Sequence, residues 1–385
     1  MFARLLVLLA VLALATAGTW VIDSDTQATT AVGCGAGSST QGIVGASQDG
    51  VGPIVDLFDG SVWTKKRNAV EAGLLMDAAI SADGKTQLLS SMGGLFVSND
   101  GGDSYSGVPG LVGISQDVHI TEGIMSAVGN FLVPNADGGR PTSTSGVAFS
   151  TDGGDSWGAA SIANEPNPRY GAFPSANTWY VSAGMWNTTE STYNVKSSTS
   201  LRQSHRVNIG SGKEHKVKMV GKVGDSTNGW YGALYKTTDG GATFTKQYSS
   251  PEGSMFYFNA ISCSDENNCI AVAEGYNNDM TAPYAGVYQT TDGGANWKAS
   301  WESNQIQGLM GCDMISNTEG WFAASPAQRS IATDFYHTTD GGATWTLEQS
   351  LSGCYALDMD MAGTLGVATC MNSSGSAMVA AHYQQ

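Results

Sequence analysis

Six short apolar strands are each headed by a polar residue whose type could support chemistry. "MDAAIS" carries Asp77, "QDVHIT" Asp117, "FNAISC" Asn259, "CDMISN" Asp313 and "LDMDMA" Asp358. "RYGAFPS" puts Tyr170 in the same slot. Four carboxylates brought together could bind a cation, a basic peptide group or sugar hydroxyls. The alternative is structural: each side chain hydrogen-bonds the backbone of a neighbouring element or simply meets water. Asp117 and His119 lie two apart on one strand face, a candidate acid–base pair or a solvated one. Trp179, Tyr180 and Trp186 in "NTWYVSAGMW" could stack on sugar rings or fill a core. The chain has no nucleophile-elbow Gly-x-Ser-x-Gly, phosphate loop, His-Glu-x-x-His or dinucleotide fingerprint. No catalytic residue, cofactor or metal site is therefore assigned.

A second chemical feature is the basic run "LRQSHRVNIGSGKEHKVKMVGK". It holds Arg202, Arg206, Lys213, Lys216, Lys218 and Lys222, six of the 18 Lys and Arg in a chain with 34 Asp and Glu. Such a run could contact an anionic partner, or could be an exposed edge strand whose lysines block aggregation. The formal charge of −16 should repel nucleic acid and anionic membranes over most of the surface.

The first seventeen residues, "MFARLLVLLAVLALATA", combine Arg4, an apolar run and a small-residue exit. That is the pattern of a secretory signal peptide cleaved before Gly18, and the run is too short to span a bilayer. A retained anchor is the alternative. Six cysteines in an exported chain read as a disulfide framework. Cys354 and Cys370 are equidistant from Ala362, as across a hairpin, and Cys263 and Cys269 flank the polar turn "SDENN". By elimination Cys34 would meet Cys312. Asn187 and Asn372 open glycosylation sequons that a eukaryotic host would use.

What positions these residues is a repeat. Nearly one phrase occurs at 98–105, 150–157, 237–244, 290–297 and 338–345, as in "TTDGGATW". Its aspartates, Asp100, Asp152, Asp239, Asp292 and Asp340, are 52, 87, 53 and 48 residues apart. Periods near 50 with strand patterns and no helical stripe predict an all-β fold, a single β-propeller. The 87-residue gap is one blade with an insertion at about 188–229, or two blades with one degenerate turn; the insertion is favoured. The six polar-headed strands then predict six blades, with seven as the alternative. Residues 18–39 would be an N-terminal extension and 40–385 the propeller. The segment "GPIVDLFDGSVWTK" would supply the outer strand that closes the last blade. The first strand of each blade lines the channel and begins on the face opposite the repeated turns. Asp77, Asp117, Tyr170, Asn259, Asp313 and Asp358 would thus circle the channel mouth.

The repeated phrase resembles the Asp-box, or BNR repeat, Ser/Thr-x-Asp-x-Gly-x-Thr/Ser-Trp, over residues 72–345. That resemblance implies a structural hairpin between the third and fourth strands of each blade. Sialidases share these turns, but their Phe/Tyr-Arg-Ile-Pro motif is missing and only Arg169, beside Tyr170, hints at their arginine triad. Xyloglucan-cleaving glycosidases carry such boxes on two large propellers. The phrasing "NAISCSDENNCIAVAEG…GVYQTTDGGANW" is similar to the repeats of photosystem II assembly-factor propellers, a non-enzymatic, protein-binding family.

These observations lead to an expected secreted, monomeric, non-catalytic propeller that binds a protein or glycan at its channel mouth. A glycoside hydrolase acting at that mouth is the alternative. Intact-mass measurement of the exported chain should show Gly18 as its first residue; a mass that retains residues 1–17 would establish the anchor instead.

Overall fold

The computed structural model describes residues 18–23, 30–48, 52–66, 75–91, 93–121, 123–133, 142–185, 229–327, 331–371 and 378–384. The described strands form seven four-stranded antiparallel sheets. An early strand, β1 (Thr19–Ile22), stands apart from its sequence neighbours. Blade one is β2 (Thr30–Ser38), β3 (Gln41–Gln48), β4 (Gly52–Phe58) and β5 (Trp63–Lys66). Blade two is β6 (Leu75–Ile80), β7 (Gln87–Ser91), β8 (Gly94–Ser98) and β9 (Ser106–Gly107). Blade three is β10 (Val112–Thr121), β11 (Ile124–Val133), β12 (Thr142–Ser150) and β13 (Gly158–Ser161). Blade four is β14 (Pro168–Ala172), β15 (Trp179–Met185), β16 (Tyr231–Thr237) and β17 (Thr245–Ser249). Blade five is β18 (Met255–Cys263), β19 (Cys269–Tyr276), β20 (Pro283–Thr290) and β21 (Lys298–Ser303). Blade six is β22 (Ile306–Met314), β23 (Gly320–Pro326), β24 (Ala332–Thr338) and β25 (Thr346–Ser352). Blade seven is β26 (Tyr355–Ala362), β27 (Leu365–Met371) and β28 (Met378–Gln384), with β1 paired on the outer edge of β28.

The first strands touch in a closed circle, from β2 through β6, β10, β14, β18, β22 and β26 back to β2. The sheets are therefore blades around a central channel. The core is divided in the same way, into seven major apolar clusters that each lie between two adjacent blades. Ile43 and Val55 of blade one meet Leu75 and Leu89 of blade two, for example, and Tyr180 of blade four meets Phe258 and Ala271 of blade five.

The repeated turns join the third and fourth strands of blades two to six. In each, the Ser or Thr hydroxyl donates to the aspartate, at 2.8 Å for Ser98 to Asp100 and 2.6 Å for Thr237 to Asp239. The same aspartate accepts the N–H and the side chain four residues on, as with Thr344 on Asp340 at 2.8 and 2.7 Å. The glycine pair takes positive φ, 71° and 87° at Gly341 and Gly342, a region open to glycine at no steric cost. In blades two, four, five and six the first glycine N–H then docks the turn on the hairpin between strands one and two of its blade, as Gly341 does on the Thr318 carbonyl.

The ring has seven blades, not the six expected. Blade one escapes a reading based on the repeat because its turn, "FDGSVW", is shorter; there Asp59 accepts from the N–H groups of Ser61 and Val62. Its first strand also has no polar heading. Gly33 occupies that position, and a Cβ there would lie 2.2 Å from the Asp77 Cα. "GPIVDLFDGSVWTK" consequently builds β4 and β5 of blade one, and the N-terminal closing strand is β1. Residues 18–39 supply β1 and β2. The 87-residue gap is spanned by one blade, the fourth, and residues 186–228 lie outside those described. No helix among the described residues is long and apolar enough to cross a membrane.

Cys263–Cys269 and Cys354–Cys370 form disulfides, bonds that persist in oxidising compartments. Cys34 and Cys312 do not pair; both are free, buried thiols. They sit on the first strands of blades one and six, with blade seven between them. Cys34 packs with Leu365 and Val367 of blade seven, whereas Cys312 packs with Ala260 and Val272 of blade five. Burial raises both thiols well above the ordinary value. Titration with a thiol reagent should find none in the native protein and two per chain after unfolding without reductant. Zero thiols in the unfolded chain would restore the third disulfide.

Candidate functional site

Each first strand breaks register with its neighbour, within its first few residues in blades one, two, four and seven and near its middle in blades three, five and six. The bulges fall between Ala31 and Gly33, Leu75 and Asp77, Ser115 and Asp117, Pro168 and Tyr170, Phe258 and Ala260, Leu309 and Gly311, and Ala356 and Asp358. Asp77, Asp117, Tyr170 and Asp358 therefore share one structural position, together with Gly33, Ala260 and Gly311. Asn259 is instead the extra residue of its bulge, and Asp313 lies two residues beyond the shared position. Asp313 and Asp360 form a second layer, nearer the face of the repeated turns.

The inner edge of a first strand carries unpaired backbone donors, and these aspartates answer them in the next blade. Asp77 accepts the N–H of Val118 at 2.7 Å, Asp117 that of Gly171 at 2.6 Å, and Asp358 that of Cys34 at 2.9 Å. In the second layer Asp313 accepts from Met361 at 2.9 Å and Asp360 from Ala36 at 2.8 Å. Ser262 takes the corresponding place in blade five, accepting the N–H of Met314 and donating to Asp313 at 2.5 Å. Asn259 is fully buried and donates to the Leu309 carbonyl at 3.2 Å. His119 lies 2.8 Å from Asp117, its ring 5.3 Å from Phe173.

Burial dominates the electrostatics of this wall. It raises the Asp77 pKa well above the carboxylate range, helped by the charges of Asp358 and Asp117. Burial likewise pushes Asp358 up to about 6, and it raises Asp360 further with the help of Asp313. Burial alone would lower His119, but the Asp117 charge and hydrogen bond carry it upward. Among the described residues no group of three or more His, Cys, Asp or Glu is arranged to hold a metal ion.

Over blades four and five the channel mouth has a different character. Arg169, the extra residue of the blade-four bulge, donates to Asn259 Oδ1 at 3.0 Å and lies 4.9 Å over the Tyr257 ring. Tyr257 donates to Glu274 at 2.6 Å, and the other Glu274 oxygen accepts the Leu309 N–H at 3.0 Å. Trp230, just before β16, packs 6.0 Å from Tyr257 and edge-on to Tyr276 at 6.2 Å. Tyr276 is 43% exposed, and Met280 beside it 56%. Trp230, Tyr257 and Glu274 have no place in a reading led by strand headings; the aromatic run "MFYF" is the sequence signal for Tyr257 alone.

Trp179 and Tyr180 are core, and Trp186 lies outside the described residues. The basic run from Arg202 to Lys222 and both sequons lie outside them as well, so Arg202, Arg206, Lys213, Lys216, Lys218, Lys222, Asn187 and Asn372 have no described place. The chain leaves the described residues at Met185 and returns at Gly229, at the mouth end of blade four. Arg169 is the one arginine among the described residues.

The two sets of aspartates give stability opposite pH dependence. Hydrogen bonds hold Asp100 down to about 2, Ser104 first among its donors, and Asp152 and Asp239 likewise. Their contribution is present above the ordinary 3.8 and is lost as pH falls toward about 2. Asp77, Asp358 and Asp360 have raised native values, so their contribution is full below 3.8 and is lost as pH rises, through about 6 for Asp358. The melting temperature should therefore peak between these values, and Asp358→Asn should flatten its fall toward neutral pH. A melting temperature that climbs steadily to neutral pH would contradict this assignment.

No family model and no curated protein matches the chain. Solved structures do resemble it. YCF48 bound to D1 peptide is similar at a TM-score of 0.54 and 12% identity, over 96% of each chain. The GH74 xyloglucanase from Xanthomonas campestris is similar at 0.50 and 13%, over 88% of this chain and 50% of that one. Kuenenia stuttgartiensis hydrazine synthase is similar at 0.53 and 9%, over 92% and 96%. At these identities the likeness is one of fold, and the chain is a β-propeller.

Proposed function

We propose that the protein is an exported, non-catalytic propeller that binds a protein or glycan partner across the channel-mouth face of blades four and five. The carrying observation is the cluster of Arg169, Trp230, Tyr257 and Tyr276, in which a half-buried cation and two buried rings back the exposed ring of Tyr276. Aromatic and arginine side chains are the types that dominate binding energy at protein interfaces. The channel carboxylates Asp77, Asp117, Asp313 and Asp358 already hold backbone N–H groups between blades, which favours a scaffold role for them over catalysis. The likeness to YCF48 bound to D1 peptide favours a peptide or protein among the candidate partners. Export is supported by the leader-like first seventeen residues and by the two disulfides.

A glycoside hydrolase is the second reading. Asp358, with its pKa near 6, is the observation that favours it, since a general acid must hold its proton near the working pH. A glycan array and a peptide array, run beside fluorogenic sialidase and xyloglucan assays, separate the two readings. The binding reading expects a hit that Tyr276→Ala weakens about tenfold with little change in melting temperature, and no turnover. Turnover lost in Asp358→Asn would establish the enzyme. Binding indifferent to Tyr276→Ala would move the contact elsewhere on the propeller.

A further inference from the structure

The strand β1 closes blade seven by contacts that resemble recognition of a bound peptide. It is only four residues long, pairing Thr19 with Gln384, Trp20 with Tyr383, Val21 with His382 and Ile22 with Ala381. One side chain anchors it. Trp20 is 1% exposed, stacks on Phe335 of blade six at 3.9 Å and 7°, and sits 5.5 Å from Tyr383. The Gln349 amide of blade six reads the Trp20 backbone on both sides, accepting its N–H at 2.7 Å and donating to its carbonyl at 2.8 Å. His382 meets the Asp23 carboxylate at 2.8 and 2.9 Å. Main-chain hydrogen bonds with one buried aromatic are the terms by which a sheet edge binds an added strand.

The acceptor does not need β1 for its own construction. β26 and β27 are joined by Cys354–Cys370, and β28 pairs along β27 through seven register partners from Leu365 with Gln384 to Met371 with Met378. Asp358 and Asp360 fix blade seven to blade one through Cys34 and Ala36, both on β2. The ring is thus closed at its inner strands, and β1 is an outer latch. With β1 displaced, the β28 edge and the Trp20 pocket would remain as an open, aromatic-selective edge.

We propose that this edge is a strand-acceptor site that a second copy of the chain can fill, so that two molecules exchange β1 and latch each other. The partner follows from the pocket: the segment that matches both the register of β28 and the indole site is β1 itself, and every copy carries one. The six residues from Ser24 to Thr29 tie β1 to blade one, so the internal strand competes at an effective concentration on the order of millimolar. Exchange is accordingly a high-concentration form of a protein that rests as a monomer.

The mature chain should be unfolded in urea without reductant, then refolded at about 1 µM and at about 1 mM, concentrations that bracket the internal competitor. The expected result is monomer at the lower and a dimer fraction at the higher concentration. In Val21→Cys/His382→Cys, oxidation should then trap covalent dimers only after concentrated refolding. Monomer at both concentrations, or dimers whose β1 crosslinks stay within each chain, would overturn the proposal. Independently, a synthetic peptide of residues 18–24 should raise the melting temperature of full-length Trp20→Ala by several degrees, and the same peptide with alanine at the tryptophan should not. Should Trp20→Ala fail to fold, Trp20→Leu serves in its place. A variant that ignores both peptides would overturn the acceptor site, and equal stabilisation by an unrelated aromatic strand would overturn the second copy as its occupant.

Discussion

A strand that lines a propeller channel is an edge strand, and its inward backbone groups have no ladder to join. In this protein the next blade supplies nothing from its own backbone to meet them; the preceding blade reaches across with a side chain. Asp77 holds Val118, Asp117 holds Gly171, Asp313 holds Met361, and Asp358 holds Cys34. The bulge in each first strand is what turns these carboxylates sideways, because the extra residue re-aims the side chain that follows it. Where the carboxylate is missing, another device fills the position. Gly33 gives way to Asp77, and Asn259 links Arg169 on one side to Leu309 on the other.

The protein uses aspartate in two opposed environments. On the face of the repeated turns, exposed aspartates gather local hydroxyl and N–H donors and are stabilised as anions. Along the channel, buried aspartates face one another, and burial raises Asp77 and Asp360 despite the N–H donors that reach each from its own strand and from the next blade. The acidic wall is therefore held in place by the same bonds that hold the blades, whereas above blades four and five a buried aromatic cluster, Trp230 with Tyr257, leads out to the exposed ring of Tyr276. Closure follows a similar division: inner aspartates join blade seven to blade one, and a tryptophan from the start of the chain seals the outer edge.

The repeated turn was legible because all its partners lie within four residues of one aspartate, so its residue types recur together wherever the turn does. It placed five blades, and the polar strand headings placed a sixth. The first blade stayed hidden because its turn is shortened at Gly60 and Ser61 and its inner strand has glycine where an aspartate was sought. The headings themselves were legible as a set but not in register. An alignment of letters cannot tell the residue after a bulge, such as Asp117, from the bulged residue itself, such as Asn259, or from one two places beyond, such as Asp313.

Two of three disulfide assignments were legible for the same reason, since each closes a short hairpin; Cys34 and Cys312 had only elimination to join them, and an intervening blade keeps them apart. By itself the sequence determined the strand class, the blade period and the hairpin turns, because those depend on hydrogen bonds and alternation within a few residues. The tertiary structure alone decided the seventh blade, the closing strand and the use of the channel aspartates. Those depend on contacts across 41 residues from Asp77 to Val118, 324 from Asp358 to Cys34 and 329 from Trp20 to Gln349. Local chemistry leaves the choice among such distant partners open until the ring closes.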